Sequence, residues 1–173
     1  MSSRRRQTEE AIEKKTARIL ISQNISVTVA ESCTGGLVAG TLINADGISS
    51  VLSESYVTYS DEAKIRLLGV DPSILEEYGA VSRETAAAMA EGAAAVSGAD
   101  IAVSTTGIAG PGGGSEEKPV GLVYIGCRYK GKTIVKRCFY GGDRQSIRHQ
   151  ATKEALEILY CQVLTSALDP EEE

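Results

Sequence analysis

Apolar and polar positions along this chain fall into alternating helical and strand rhythms. Between positions 7 and 24, Ala11, Ile12, Ile19 and Leu20 recur on one helical face with charged residues between them, which predicts an amphipathic covering helix. Residues 26–30 then alternate through Val27 and Val29 as a short strand. The strand runs into Glu31-Ser32-Cys33-Thr34-Gly35-Gly36 and a second apolar helical stretch over 37–43. Residues 53–59 concentrate the β-favouring Tyr56, Val57 and Tyr59. Ser60-Asp61-Glu62 follows as an N-cap with an acidic first turn, which puts Lys64 about one turn into a helix ending near Gly69. Asp71-Pro72 reads as the cap and first residue of a short helix stopped by Gly79, and Ser82 opens an alanine-rich helix ending near Gly98. Residues 100–106 form a strongly apolar strand, and 107–118 hold too many glycines for regular structure. Residues 120–129 and 132–140 read as a hairpin turned at Lys130-Gly131, and Asp143 caps a last helix over 145–168.

That order predicts an α/β fold: a three-layer α/β/α sandwich around a mixed sheet with an antiparallel hairpin in it. With 173 residues and 42% hydrophobic content, the expectation is one domain over 1–173, with 1–6 and 169–173 as flexible tails. The net charge of −5 argues against a partner recognised by phosphate neutralisation, so no nucleic acid is expected. A basic run occurs only at Arg4–Arg6, with no long apolar segment behind it, so neither a secretory signal nor a membrane partner is expected. Cys33, Cys127, Cys138 and Cys161 are scattered without a CxxC pair. They read as free thiols of a reducing, cytoplasmic compartment, with no metal site and no cofactor. A small alanine-rich domain with a two-stranded hairpin is expected to form a homo-oligomer.

The candidate chemistry sits where the first strand hands over to a helix. Backbone N–H groups around Cys33, Thr34, Gly35 and Gly36 can converge beside Ser32 and stabilise an oxyanion or bind a phosphate. The ordinary alternative is that Ser32 or Thr34 merely caps the helix. A serine hydroxyl needs a base, and the single histidine, His149, is remote in sequence. A desolvated lysine is one answer, and Lys64, five residues beyond Tyr59, is placed to supply it, against the ordinary reading of a solvated surface lysine and a packed tyrosine. The glycine-rich stretch at 107–115 lets backbone approach a ligand closely, but it lacks the lysine and following helix of a triphosphate-binding loop. Arg144 offers a guanidinium to an anion, while Glu31 and Asp143 suit solvated or capping roles better than a cation site.

Together, AESCTGG at 30–36, VTYSDEAK at 57–64, GAVS at 79–82, TGIAGPGGGSEEKPVG at 106–121 and GDR at 142–144 resemble the CinA C-terminal-domain proteins, also known as nicotinamide-nucleotide amidases. The resemblance implies hydrolysis of the carboxamide of nicotinamide mononucleotide to nicotinate mononucleotide and ammonia. It places the catalytic residues at Ser32, Tyr59 and Lys64. The small-molecule nucleotide would lie among Cys33, Thr34, Gly35, Gly36, Thr105, Thr106, Gly107, Gly110, Gly113 and Arg144, with the phosphate on either Arg144 or the glycine-rich loop. Gly141 stands where the pattern leads one to expect proline. Larger members carry a preceding nucleotide-hydrolase domain, and the expectation here is a stand-alone form without pyrophosphatase activity. The competing reading is a non-catalytic binding domain of the same fold.

Overall fold

The computed structural model describes residues 10–168. The expected tails at 1–6 and 169–173, and the start of the first predicted helix, lie outside them. Among the described residues, six helices and five strands follow one another as α1 (Ile12–Ser22), β1 (Val27–Glu31), α2 (Leu37–Leu42), a 3-10 turn (Ile48–Ser50), β2 (Tyr56–Val57), α3 (Asp61–Leu68), α4 (Pro72–Tyr78), α5 (Arg83–Ser97), β3 (Ile101–Gly107), β4 (Leu122–Tyr129), β5 (Lys132–Phe139) and α6 (Arg144–Leu168). The sheet order is β2-β1-β3-β4-β5, parallel from β2 through β3 and antiparallel across β3, β4 and β5. This is the expected mixed sheet with its hairpin. At Lys130 (φ 46°) and Gly131 (φ 76°) both central residues take the left-handed conformation that a two-residue hairpin turn requires.

Local signals set most boundaries. Ser60 caps α3 through Ala63 N–H, Asp71 caps α4 through Ser73 N–H with Pro72 following, and Ser82 caps α5 through Thr85 N–H. Residues 53–59 yield only the two-residue edge strand β2, with Thr58 N–H adding one rung to Glu31 C=O at 2.8 Å. β1 is buried at every position, because it is the middle of three parallel strands with helices on both sides.

Helices α1, α2 and α6 cover one face, where Leu20, Val29, Leu42, Ile125, Leu156 and Leu159 form the larger core. Helices α3, α4 and α5 cover the other, over Ala30, Leu68, Leu75, Met89, Ala93 and Ala102. This second layer is thin because backbone meets backbone. A Cβ on Gly92 would lie 2.0 Å from the Leu68 carbonyl oxygen, and one on Gly126 would lie 2.5 Å from that of Ala86. The alanines of α5 therefore pack directly on the sheet, and Ser104 Oγ donates to Ala86 C=O at 2.6 Å. No helix among the described residues is long and apolar enough to cross a membrane.

Candidate active site

The parallel strands β1 and β3 end side by side. One further ladder bond, from Ser32 N–H to Thr105 C=O at 2.9 Å, carries β1 a residue past its end before Gly35 N–H turns back to Ser32 C=O at 3.1 Å. Gly35 (φ 61°) and Gly36 (φ 97°) take the left-handed conformations that the turn demands. Beneath it, the Glu31 carboxylate is only 1% exposed. It accepts Gly36 N–H at 2.9 Å, Val38 N–H at 3.1 Å and Ala39 N–H at 2.9 Å.

Glu31 thus caps α2 from inside the fold and corrects two expectations. Neither Ser32 nor Thr34 caps α2, and the Gly36 N–H is committed to a carboxylate rather than to a substrate oxyanion or phosphate. Thr34 shares a buried 2.7 Å hydroxyl bond with Thr105. From α6, Arg148 donates to Cys33 C=O at 3.1 Å and Thr34 C=O at 2.8 Å, clamping the turn from above. Sequence reasoning missed Arg148. Its only signal is its place one helical turn beyond Arg144, on the same side of α6.

Ser32 is 9% exposed, and its hydroxyl makes no hydrogen bond among the described residues. Continuing the register of Glu31 with Val57 and Thr105 sets Ser32 between Thr58 and Thr106. Pleat alternation gives Ser32 the same sheet face as Ala30, the face covered by α3 and α5. Lys64, on α3, is wholly buried there. Its Nζ donates to Thr58 C=O at 3.1 Å and Ser60 C=O at 3.4 Å and lies 3.6 Å from Asp61 Oδ1.

Adjacent strands stand ~4.8 Å apart, so the residue that holds the lysine head is next door to Ser32. Burial pushes the Lys64 ammonium pKa below the ordinary 10.5, against the opposing pull of Asp61 and Glu62. Thr58 is fully buried, and its Oγ1 has no partner. The neighbouring thiol is no rival nucleophile, because burial pushes Cys33 up to about 12. His149 is exposed on α6.

Tyr59 is 61% exposed, and its hydroxyl accepts from Arg144 Nη2 at 2.7 Å. Arg144 Nη1 donates to Gly110 C=O at 2.7 Å, so this guanidinium ties Tyr59 to the glycine-rich loop. Tyr59 makes no hydrogen bond to Ser32 or Lys64. Gly113 lies further along the same loop with φ 84°. Thr106 Oγ1 donates to Ala80 C=O at 2.6 Å, anchoring the end of β3 to the turn before α5. Strand alternation turns the Gly107 N–H toward the side where β1 has already ended, beside Ser32. A Cβ at Gly107 would meet Leu122 O at 2.7 Å.

Residues 9–163 match the family described as CinA C-terminal domain. The chain belongs to that family. Among its CinA relatives, a Clostridioides difficile protein with the provisional name competence-damage inducible protein is 53% identical over 155 residues, covering 90% of this chain and 37% of that protein. The chain therefore spans little more than a third of the length of the curated relatives it matches. Solved CinA-type structures are similar throughout. The competence/damage inducible protein CihA of Agrobacterium tumefaciens matches with TM-score 0.82 and 44% identity over 88% of this chain and 96% of that one. A CinA superfamily protein of Klebsiella pneumoniae matches with TM-score 0.85 and 33% identity over 89% and 96%.

Proposed function

We propose that this CinA domain is a serine amidohydrolase that converts nicotinamide mononucleotide to nicotinate mononucleotide and ammonia. The observation that carries the reading is Lys64: a buried lysine held on the Thr58 carbonyl, on the same sheet face as Ser32 and one strand away. An ammonium whose pKa burial lowers is a lysine prepared to act as a base. Neutral Lys64 takes the Ser32 proton as Oγ attacks the carboxamide carbon. The tetrahedral oxyanion is met by the Gly107 and Cys33 N–H groups. Collapse returns the proton to the departing nitrogen, which leaves as ammonia, and water attacks the acyl-serine by the same route in reverse.

Tyr59, engaged by Arg144, serves at the mouth of the site, and the proton passes directly between Ser32 and Lys64. The test is ammonia release from nicotinamide mononucleotide by the wild type, Ser32→Ala and Lys64→Met, each checked for folding by circular dichroism. Turnover in the wild type and its loss in both folded variants are expected. A folded wild type that releases no ammonia would replace this reading with that of a non-catalytic binding domain.

A further inference from the structure

The buried hydroxyls around the strand ends are nearly all engaged. Thr34 and Thr105 share one bond, Thr106 Oγ1 donates to Ala80 C=O, Ser104 Oγ to Ala86 C=O, and Thr28 Oγ1 to Glu54 C=O at 2.9 Å. Thr58 is the exception. It is 0% exposed, and its Oγ1 meets neither a partner nor solvent. A hydroxyl left unpaired in a dry interior works against folding, and valine has the same shape without it.

The surroundings of this hydroxyl narrow what it can bond. Carbonyls at this level of the sheet already carry donors: Glu31 C=O takes Thr58 N–H, Thr105 C=O takes Ser32 N–H, and the C=O of Thr58 itself takes Lys64 Nζ at 3.1 Å. The register that pairs Glu31 with Val57 sets Thr58 beside Ser32, and register partners share a face. Thr58 therefore stands next to the proposed nucleophile while its own carbonyl seats the proposed base. With the strands ~4.8 Å apart, rotation about χ1 of two such short side chains brings their oxygens within hydrogen-bond reach.

A serine hydroxyl has one proton and two lone pairs. During attack the Ser32 proton must point at Lys64, and a donor on one lone pair fixes that direction. The same donor stabilises the charge left on Oγ as the proton departs. Substrate over Ser32 displaces the water that this 9%-exposed side chain otherwise meets, and the buried Thr58 hydroxyl is the donor beside it. We infer that Thr58 is a positioning residue for Ser32: its hydroxyl donates to Ser32 Oγ once substrate covers the site, leaving the Ser32 proton to Lys64. The inference rests on the amidase reading. It also accounts for the idle hydroxyl of the free protein, since a bond made only in the reacting state speeds the chemistry without stabilising the resting fold.

The experiment follows ammonia release from nicotinamide mononucleotide at several pH values by the wild type, Thr58→Val and Thr58→Ser, with thermal unfolding of each. Thr58→Val should be at least as stable as the wild type, with kcat lowered roughly thirtyfold and KM within about threefold. Because the Thr58 carbonyl still seats Lys64, the midpoint of the rising pH limb should stay where it is, and Thr58→Ser should recover most of the loss. A Thr58→Val enzyme within about twofold of wild type, a loss accompanied by lower stability, or no recovery in Thr58→Ser would overturn the assignment. A displaced limb would put the hydroxyl on Lys64 instead and overturn it equally. If the wild type releases no ammonia, the amidase reading fails, and Thr58 is judged by how fast a fluorophosphonate probe phosphonylates Ser32 with loss of fluoride, read by mass spectrometry. Labelling slowed in Thr58→Val and recovered in Thr58→Ser upholds the positioning role; any other pattern, including an unlabelled wild type, refutes it.

Discussion

Glu31→Gln tests how the nucleophile's turn is held. The carboxylate accepts three backbone N–H groups with two oxygens, Gly36 and Val38 on Oε2 and Ala39 on Oε1, in a fully dry setting. Glutamine is nearly the same shape but offers one oxygen. With that oxygen on Gly36 and Val38, its amide nitrogen faces Ala39 N–H, donor against donor; the opposite flip strands two N–H groups instead of one. Losing one charge-assisted bond costs about 2 kcal/mol, and neutralising the acceptor weakens the other two by roughly 0.5–1 kcal/mol each. The expected loss is therefore about 3–4 kcal/mol, a large part of the ~5–15 kcal/mol that holds a typical domain. Urea unfolding followed by circular dichroism should show the midpoint falling by on the order of 1–3 M with an unchanged slope. Ammonia release should fall as well, because Ser32 is the next residue. A variant within about 0.5 kcal/mol of wild type would show that the α2 N-terminus does not depend on the carboxylate, and the account of the turn would be wrong.

Three further outcomes are expected. Lys64 is protonated less readily in the folded chain than in the unfolded one, so across the interval from its lowered pKa up to 10.5 the unfolded state binds more protons. Stability should rise with pH there, and turnover should rise along the same limb; Lys64→Met should flatten the stability slope in denaturation curves taken at several pH values and abolish turnover. Thr58→Val removes a buried hydroxyl that has no partner, so thermal unfolding should show a change between neutral and about 1 kcal/mol of stabilisation, and a loss beyond that would show the hydroxyl to be bonded. Gly92→Ala sets a Cβ 2.0 Å from Leu68 O, and despite alanine's better helix propensity it should destabilise by about 1–3 kcal/mol or more in urea titrations; an unchanged or stabilised variant would contradict the close packing of α5.

What could be read from the sequence was what neighbours decide. Ser60, Asp71, Ser82 and Asp143 each satisfy an N–H two or three residues on, and Lys130-Gly131 closes its own turn. The α2 cap is legible only in kind: Glu31 suits a capping role by its chemistry, but the usual signal is a hydroxyl such as Ser32 or Thr34, and only the fold brings the carboxylate to N–H groups five to eight positions ahead. The run at 53–59 has strand composition, yet an edge beside β1 pairs only Tyr56 and Val57, a limit set by tertiary packing. The resemblance sets Tyr59 among the catalytic residues, and nothing near it in the chain marks the contact its hydroxyl makes with a residue 85 positions away. Arg148 reaches back 114 and 115 positions to Thr34 and Cys33, and nothing near it in the chain marks that reach.

Arg144 and Arg148, one turn apart on α6, give the ribosome a say in when the site exists. Ser32, Tyr59 and Lys64 are all translated before β3 begins, but the guanidinium groups that tie Tyr59 to Gly110 and clamp Cys33 and Thr34 come from the last helix described. A nascent chain halted anywhere before Arg148 carries the proposed nucleophile and base with their turn unclamped. Synthesis must therefore run through the first turns of α6 before the earliest-made part of the site is finished.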